Sequence, residues 1–182
     1  MTAQWRNSTD GYGRISILLH WVSFALVLML LATGVYMVTL SYYDPLYHRL
    51  PHWHKIAGVC IIALTLFRLA WNLLNPHPLL LPAPGWQQFS ARTVHGLFYV
   101  LLFALGITGY VMTTAAGKPL EWLFGWQIPA LRTWPAELAD LMGLLHEWIA
   151  YGVAALIVLH SGAALYHHFY RHDATLRRML RF

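Results

Sequence analysis

Eleven histidines occur in a chain of 182 residues of which only 10% are charged, and five of them lie within long apolar stretches. Imidazole ligates metals as a neutral base and exchanges protons near neutral pH, so a histidine held among apolar residues points to metal or proton chemistry. The five are His20, His54, His95, His146 and His160. Taken singly, each is equally well read as a packing histidine hydrogen-bonded to a neighbour. Their spacing resists that reading. His146 and His160 are fourteen residues apart on one apolar stretch. At 100° per residue that interval returns to within roughly 40° of the same helix face, about 21 Å further along the axis. One helix therefore offers two imidazoles at two depths.

The elements that position them are membrane spans. A hydrophobic fraction of 58%, nine Trp and ten Tyr describe a chain suited to a bilayer with aromatic residues at its interfaces. Spans of about 20 apolar residues are expected near 15–40, 52–74, 93–114 and 141–170, within a single domain covering 1–182. Pro51, the Asn75-Pro-His-Pro78 run, Pro82, Pro84, Pro119 and Pro135 fall between them. Arg68, near one end of the second span, is expected to snorkel to the surface. The first span is too long for the core of a signal peptide and is expected to be retained. The expected fold is all-α, an integral membrane four-helix bundle.

Charge orients it. Arg6, Arg14, Arg68, Arg92, Arg171, Arg177, Arg178 and Arg181 fall on one side, against Arg49, Lys55, Lys118 and Arg132 on the other. The positive-inside rule then expects both termini in the cytoplasm. The net charge of +5 comes from basic residues at segment ends, not from an interleaved patch, so no nucleic-acid partner is expected. Cys60 is the sole cysteine, which excludes an intramolecular disulfide, and the absence of C-x-x-C-H excludes the usual covalent haem attachment.

Depth suggests partners. His20 lies at a level similar to His160, and His54 is level with His146. The expectation is two b-type haems, one held by His20 and His160 and the other by His54 and His146, all four as axial ligands to iron. His52 competes with His54 but points to nearly the opposite helix face. Gly34, Gly58, Gly109 and Gly162 would leave room for a macrocycle, although small residues also serve ordinary helix packing. His95 lacks a partner of equal depth. With His167, Arg92 and Arg14 it could line a pocket for a quinone headgroup, whose carbonyls need donors and whose reduction needs protons. The competing reading is that these residues contact lipid phosphates. His168 and His172 are read as solvated helix-end residues.

The segments Ser16-Ile-Leu-Leu-His20-Trp21, His54-Lys-Ile-Ala-Gly58, His95-Gly-Leu-Phe-Tyr99, His146-Glu-Trp148 and Leu159-His160-Ser-Gly-Ala-Ala-Leu-Tyr-His167-His168 resemble, in order and spacing, the bacterial cytochrome b561 family. The resemblance implies a multi-pass inner-membrane protein with two b haems on His20, His54, His146 and His160 that exchanges electrons with ubiquinone. It also implies superoxide as a donor, oxidised to oxygen at the periplasmic face. Lys55, beside His54, could then assist the approach of that anion. The outer segments nonetheless carry four basic against five acidic residues, so net charge does not favour steering. A second reading is a membrane anchor and electron conduit for a dehydrogenase or hydrogenase partner. Trp122, Phe124, Trp126 and Trp134 in the last long loop would then form a docking surface, or else lie at the lipid interface. A metal or proton transporter using the same histidines is a third. No phosphate-cradling glycine loop or nucleophile–base pair marks a nucleotide enzyme or hydrolase.

Overall fold

The computed structural model describes residues 4–79, 81 and 83–180, so Pro82 and Arg181 lie outside the described residues. Four long helices, α1 (Arg14–Met37), α2 (Arg49–Leu74), α3 (Gly85–Thr114) and α4 (Ala136–Phe169), make up the bundle. Each is long and apolar enough to cross a membrane. Their outward faces carry exposed Leu18, Val22, Leu66, Phe67, Val100, Ile107, Val158 and Leu159. Helices apolar on all sides are solvated by lipid, not by water.

The helices overrun the apolar windows. Pro84 and Pro135 cap α3 and α4, and both helices start several residues before the expected spans at 93 and 141. Proline suits a helix entrance because it gives up only an amide that would lack a partner there. The first helix instead stops at Met37, short of the expected position 40. There the Thr39 amide donates to Tyr36 O at 3.0 Å and its hydroxyl donates to the same carbonyl at 2.7 Å, closing a turn.

α1 packs chiefly on α2 and α3 chiefly on α4, with a lesser contact between α2 and α3. Gly106 permits that contact, since a Cβ there would meet the Ile62 side chain at 2.6 Å. Midway along the bundle, Val27, Ile61 and Val153 form a buried cluster ringed by Leu101, Leu102, Leu105 and Ile157 among others. The buried hydroxyls of Ser23 and Thr65 are satisfied on their own helices: Ser23 donates to Leu19 O at 2.6 Å and Thr65 to Ile61 O at 2.7 Å.

At one end of the bundle, called here the hairpin end, the α3–α4 connection forms a short antiparallel hairpin of β1 (Leu120–Glu121) and β2 (Gln127–Ile128). At the other, terminal end the described N- and C-terminal segments meet at Leu79 of the α2–α3 loop, whose amide donates to Thr9 O at 2.9 Å. Asn7 Oδ1 accepts from Gly13 N at 2.9 Å and from Ser16 Oγ at 2.6 Å, tying the N-terminal segment to the start of α1. Gly13 has no alternative there, because a Cβ would collide with the Arg6 backbone. The C-terminal tail folds back across the same end: Trp21 Nε1 donates to Met179 O at 2.7 Å and Arg178 Nη1 to Leu79 O at 2.7 Å. Asn7→Ala would orphan the buried Gly13 amide, at a cost of about 1–3 kcal/mol. Thermal unfolding in detergent should show a lower midpoint, and an unchanged one would contradict this role.

Candidate functional site

The five membrane histidines and Arg68 sort into two levels by a fourteen-residue register that runs through all four helices. On α4 it links His146 to His160, and on α2 it links His54 to Arg68. On α1 it links His20 to Gly34, and on α3 His95 to Gly109. Halfway along each interval stand Val27, Ile61, Leu102 and Val153, the residues of the apolar middle layer and its rim. Fourteen residues raise a helix by about 21 Å. Polar groups thus occupy two levels separated by a packed apolar layer.

At the hairpin end, His54 and His146 face one another with ring centroids 6.4 Å apart. At the terminal end, His20 and His160 stand 6.3 Å apart. Two imidazoles bound trans to one metal, with metal–nitrogen bonds of about 2.0 Å and about 1.1 Å from nitrogen to ring centre, place their centroids roughly 6.2 to 6.4 Å apart. Both pairs meet that spacing. The residues present therefore fit a bis-imidazole metal group at each level. Helices α1 and α4 scarcely touch, and Gly58 and Gly162 border open space, which leaves room for a flat macrocycle.

Proton positions at the hairpin-end pair follow from hydrogen bonds. His146 Nδ1 lies 3.1 Å from Leu105 O, a group that can only accept, so Nδ1 carries the proton and Nε2 is free to ligate. Thr33 Oγ1 lies 3.1 Å from His54 Nδ1 while its own hydroxyl donates to Met29 O at 2.8 Å. Thr108 Oγ1 takes the same place beside His146 Nδ1 at 3.1 Å, its hydroxyl donating to Ala104 O at 2.8 Å.

The terminal-end level differs. Arg68 is turned inward, contrary to the expected snorkelling, and its Nη2 donates to His20 Nδ1 at 3.2 Å. The turn follows from the register, which aims position 68 along the same face as His54. A guanidinium only donates, so here the His20 proton sits on Nε2, and ligation through that nitrogen requires Arg68 to release Nδ1. His95 also joins this level, 5.4 Å from His160, which corrects the expectation that it lacks a partner of equal depth. Because α3 begins at Gly85, His95 lies about 15 Å inside the helix, not at its entrance. The His95–His160 spacing is shorter than trans ligation of one metal requires, whereas His20–His160 matches it.

The other expected residues are dispersed. His167 Nδ1 donates to Asp173 Oδ2 at 2.5 Å, and no hydrogen bond or ring contact among the described residues joins it to His95. Arg92 is exposed on α3, and Arg14 stacks over Trp5 at 5.7 Å. His52 packs its ring on Trp53, His168 is half-buried against Phe169 instead of solvated, and His172 is exposed. Lys55 is half-buried one residue past His54. On the hairpin, Phe124 is 96% exposed at a left-handed φ of 58°, and Trp126 is exposed, while Trp122 and Trp134 are half-buried, the latter beneath the Arg132 guanidinium at 3.6 Å. Sequence reading missed Thr33, Thr108 and the inward Arg68. The signals were available: Thr33-Gly-Val-Tyr-Met37 nearly repeats as Thr108-Gly-Tyr-Val-Met112, and Arg68 completes the fourteen-residue register.

Residues 11–182 match the family described as prokaryotic cytochrome b561. Cytochrome b561 homolog 2 of Escherichia coli (strain K12) is 43% identical over 176 residues, covering 96% of this chain and 93% of the relative. Cytochrome b561 homolog 1 of the same organism is 29% identical over 93% of this chain and 96% of its own. A protein of Yersinia pestis named probable superoxide oxidase CybB is 30% identical over 93% of this chain and 95% of its own. A four-span helical membrane protein with paired inward histidines, the chain belongs to the prokaryotic cytochrome b561 family. It is therefore a multi-pass protein of the bacterial inner membrane that binds haem b and transfers electrons.

Asp173, beyond the last span, ties the tail to α4. Burial works to raise its pKa, but hydrogen bonds from His167 and Thr175 outweigh it and hold the carboxyl down to about 2. A depressed carboxyl stabilises the fold above its unfolded pKa, and the increment is lost as pH falls through the folded value. The gap in thermal stability between wild type and Asp173→Asn should therefore be full above pH about 4 and close as pH falls towards 2. A gap that persists unchanged at pH 2 would contradict the carboxylate's role.

Proposed function

We propose that this single-domain protein holds two b haems, one on His54 and His146 and one on His20 and His160, and moves electrons from superoxide to ubiquinone. The observation that carries the reading is the matched spacing of the two pairs, 6.4 Å and 6.3 Å, at two levels of one bundle. When bound, haem supplies one-electron oxidation and reduction at each level. The net reaction balances as two superoxide, one ubiquinone and two protons giving two oxygen and one ubiquinol.

The chain's own residues divide the work. With both termini in the cytoplasm, as the positive-inside count favours, the hairpin end faces the periplasm and receives the donor. Lys55, next to His54, offers a positive charge to an approaching anion. His54, His146, His20 and His160 would hold the haems as neutral imidazole pairs, which would leave iron no open position and favour electron transfer over oxygen binding. At the cytoplasmic end His95 stands beside His160 at less than the trans-ligand spacing, so its imidazole is available to a quinone carbonyl or its protons. Arg92, three residues before His95 on α3, could add a donor on the same side, whereas His167 is engaged by Asp173. Arg68 is a fixed cation with no carboxylate in ion-pair contact among the described residues, and a haem propionate is a suitable partner for it.

The exposed Phe124 and Trp126 favour a second reading, in which the hairpin docks a partner dehydrogenase or hydrogenase. Assay of the purified protein with generated superoxide and a short-chain ubiquinone decides between them. Quinol should form with no partner present, and Lys55→Glu should lower kcat/KM for superoxide at low salt. Failure to form quinol from superoxide, while chemically reduced protein still reduces quinone, would favour the conduit. Haem content tests the ligands: His54→Ala, His146→Ala, His20→Ala and His160→Ala should each drop from two haems per chain to one, and His95→Ala should retain two. Loss of a haem in His95→Ala with retention in His20→Ala would overturn the terminal-end assignment.

A further inference from the structure

The bundle carries a duplicated device at its hairpin-end level. Thr33-Gly34 on α1 faces His54 of α2, and Thr108-Gly109 on α3 faces His146 of α4. Both threonines stand 3.1 Å from the Nδ1 of the opposing ring. Each commits its only proton to a carbonyl four residues back, Met29 O and Ala104 O, both at 2.8 Å. An oxygen whose proton is already donated has only lone pairs to offer, so in each pair the imidazole donates. Gly109 supplies clearance, since a Cβ there would come within 3.2 Å of His146 Cε1, whereas one at Gly34 would meet His54 Cε1 at 3.5 Å, an ordinary contact.

We propose that Thr33 and Thr108 are positioning residues for the outer haem, fixing the tautomer that presents Nε2 of His54 and His146 to iron. A hydrogen bond from Nδ1–H makes the opposite nitrogen a better donor and orients the ring, which is how outer-shell partners tune metal-ligating histidines. A more basic axial ligand stabilises ferric over ferrous iron and so lowers the potential.

The two seats are not equivalent. His146 Nδ1 has a second acceptor in Leu105 O at 3.1 Å. His54 Nδ1 has only the Thr33 hydroxyl among the described residues. Loss of the two hydroxyls should therefore be felt unequally, a difference that mere packing does not produce. Valine keeps the volume of threonine and removes the hydroxyl, so the same substitution can be made at both positions.

The inference rests on the proposal that His54 and His146 ligate a haem, and potentiometry of purified Thr33→Val, Thr108→Val and Thr33→Ser separates the two. The outer haem is the component missing from the His54→Ala variant. Thr33→Val should raise its potential, by about 59 mV for each tenfold loss of preference for ferric iron. Thr108→Val should move it distinctly less, Thr33→Ser should restore it, and the other haem should stay put in all three. Equal shifts in the two valine variants, or no shift in either with both haems present, would overturn the inference. Wild type lacking the second haem would instead overturn the ligand assignment beneath it. If Thr33→Val expresses too poorly to measure, the ferric low-spin signal of Thr33→Ala against Thr33→Ser carries the same test: a displaced alanine signal beside a serine signal like wild type supports the inference, and two signals matching wild type overturn it.

Discussion

The register of fourteen residues is the constraint on which the rest of the bundle depends. A bilayer interior penalises every unpaired polar group, so imidazoles placed there must face one another, a bound group or a hydrogen-bond partner. Repeating the interval on all four helices brings such groups to two levels and leaves hydrophobic residues between them. Val27, Ile61 and Val153 form that intervening layer. They hold the helices together where no cofactor would, so the packing that stabilises the fold also separates the two sites.

The two levels share a register but not a chemistry. At the hairpin end the halves of the chain match, histidine for histidine and Thr-Gly for Thr-Gly. At the terminal end the match is broken, because Arg68 stands where the register of α2 would otherwise give a counterpart to His160. One level is thus nearly symmetric and uncharged, built to hold a ligand pair. The other has a surplus imidazole and a permanent cation, which suits a site that must also meet a proton-coupled reaction. The asymmetry fits an electron path with a simple entrance and a more demanding exit.

Much of this was legible in the sequence, for a physical reason. Polar residues in an apolar run are conspicuous, so His20, His54, His146 and His160 could be paired by depth alone. The four spans were equally plain, but their ends were not: apolar windows report where lipid begins, whereas Pro84 and Pro135 set where the helices begin. That difference hid the depth of His95. The direction of Arg68 was misread because a long cation near a span end ordinarily reaches outward. The bond between His167 and Asp173 depends on the tail folding back over α4, a tertiary event that local pattern does not encode. Thr33 and Thr108 were overlooked because a threonine in a helix ordinarily needs no explanation beyond its own backbone carbonyl.

The distance between the two irons, measured by dipolar electron paramagnetic resonance on the oxidised wild-type protein, tests the two-level arrangement most directly. Fourteen residues of helix between His146 and His160 predict two low-spin ferric centres about 20 Å apart. A single centre, or two centres within about 10 Å of each other, half the helical rise, would contradict it.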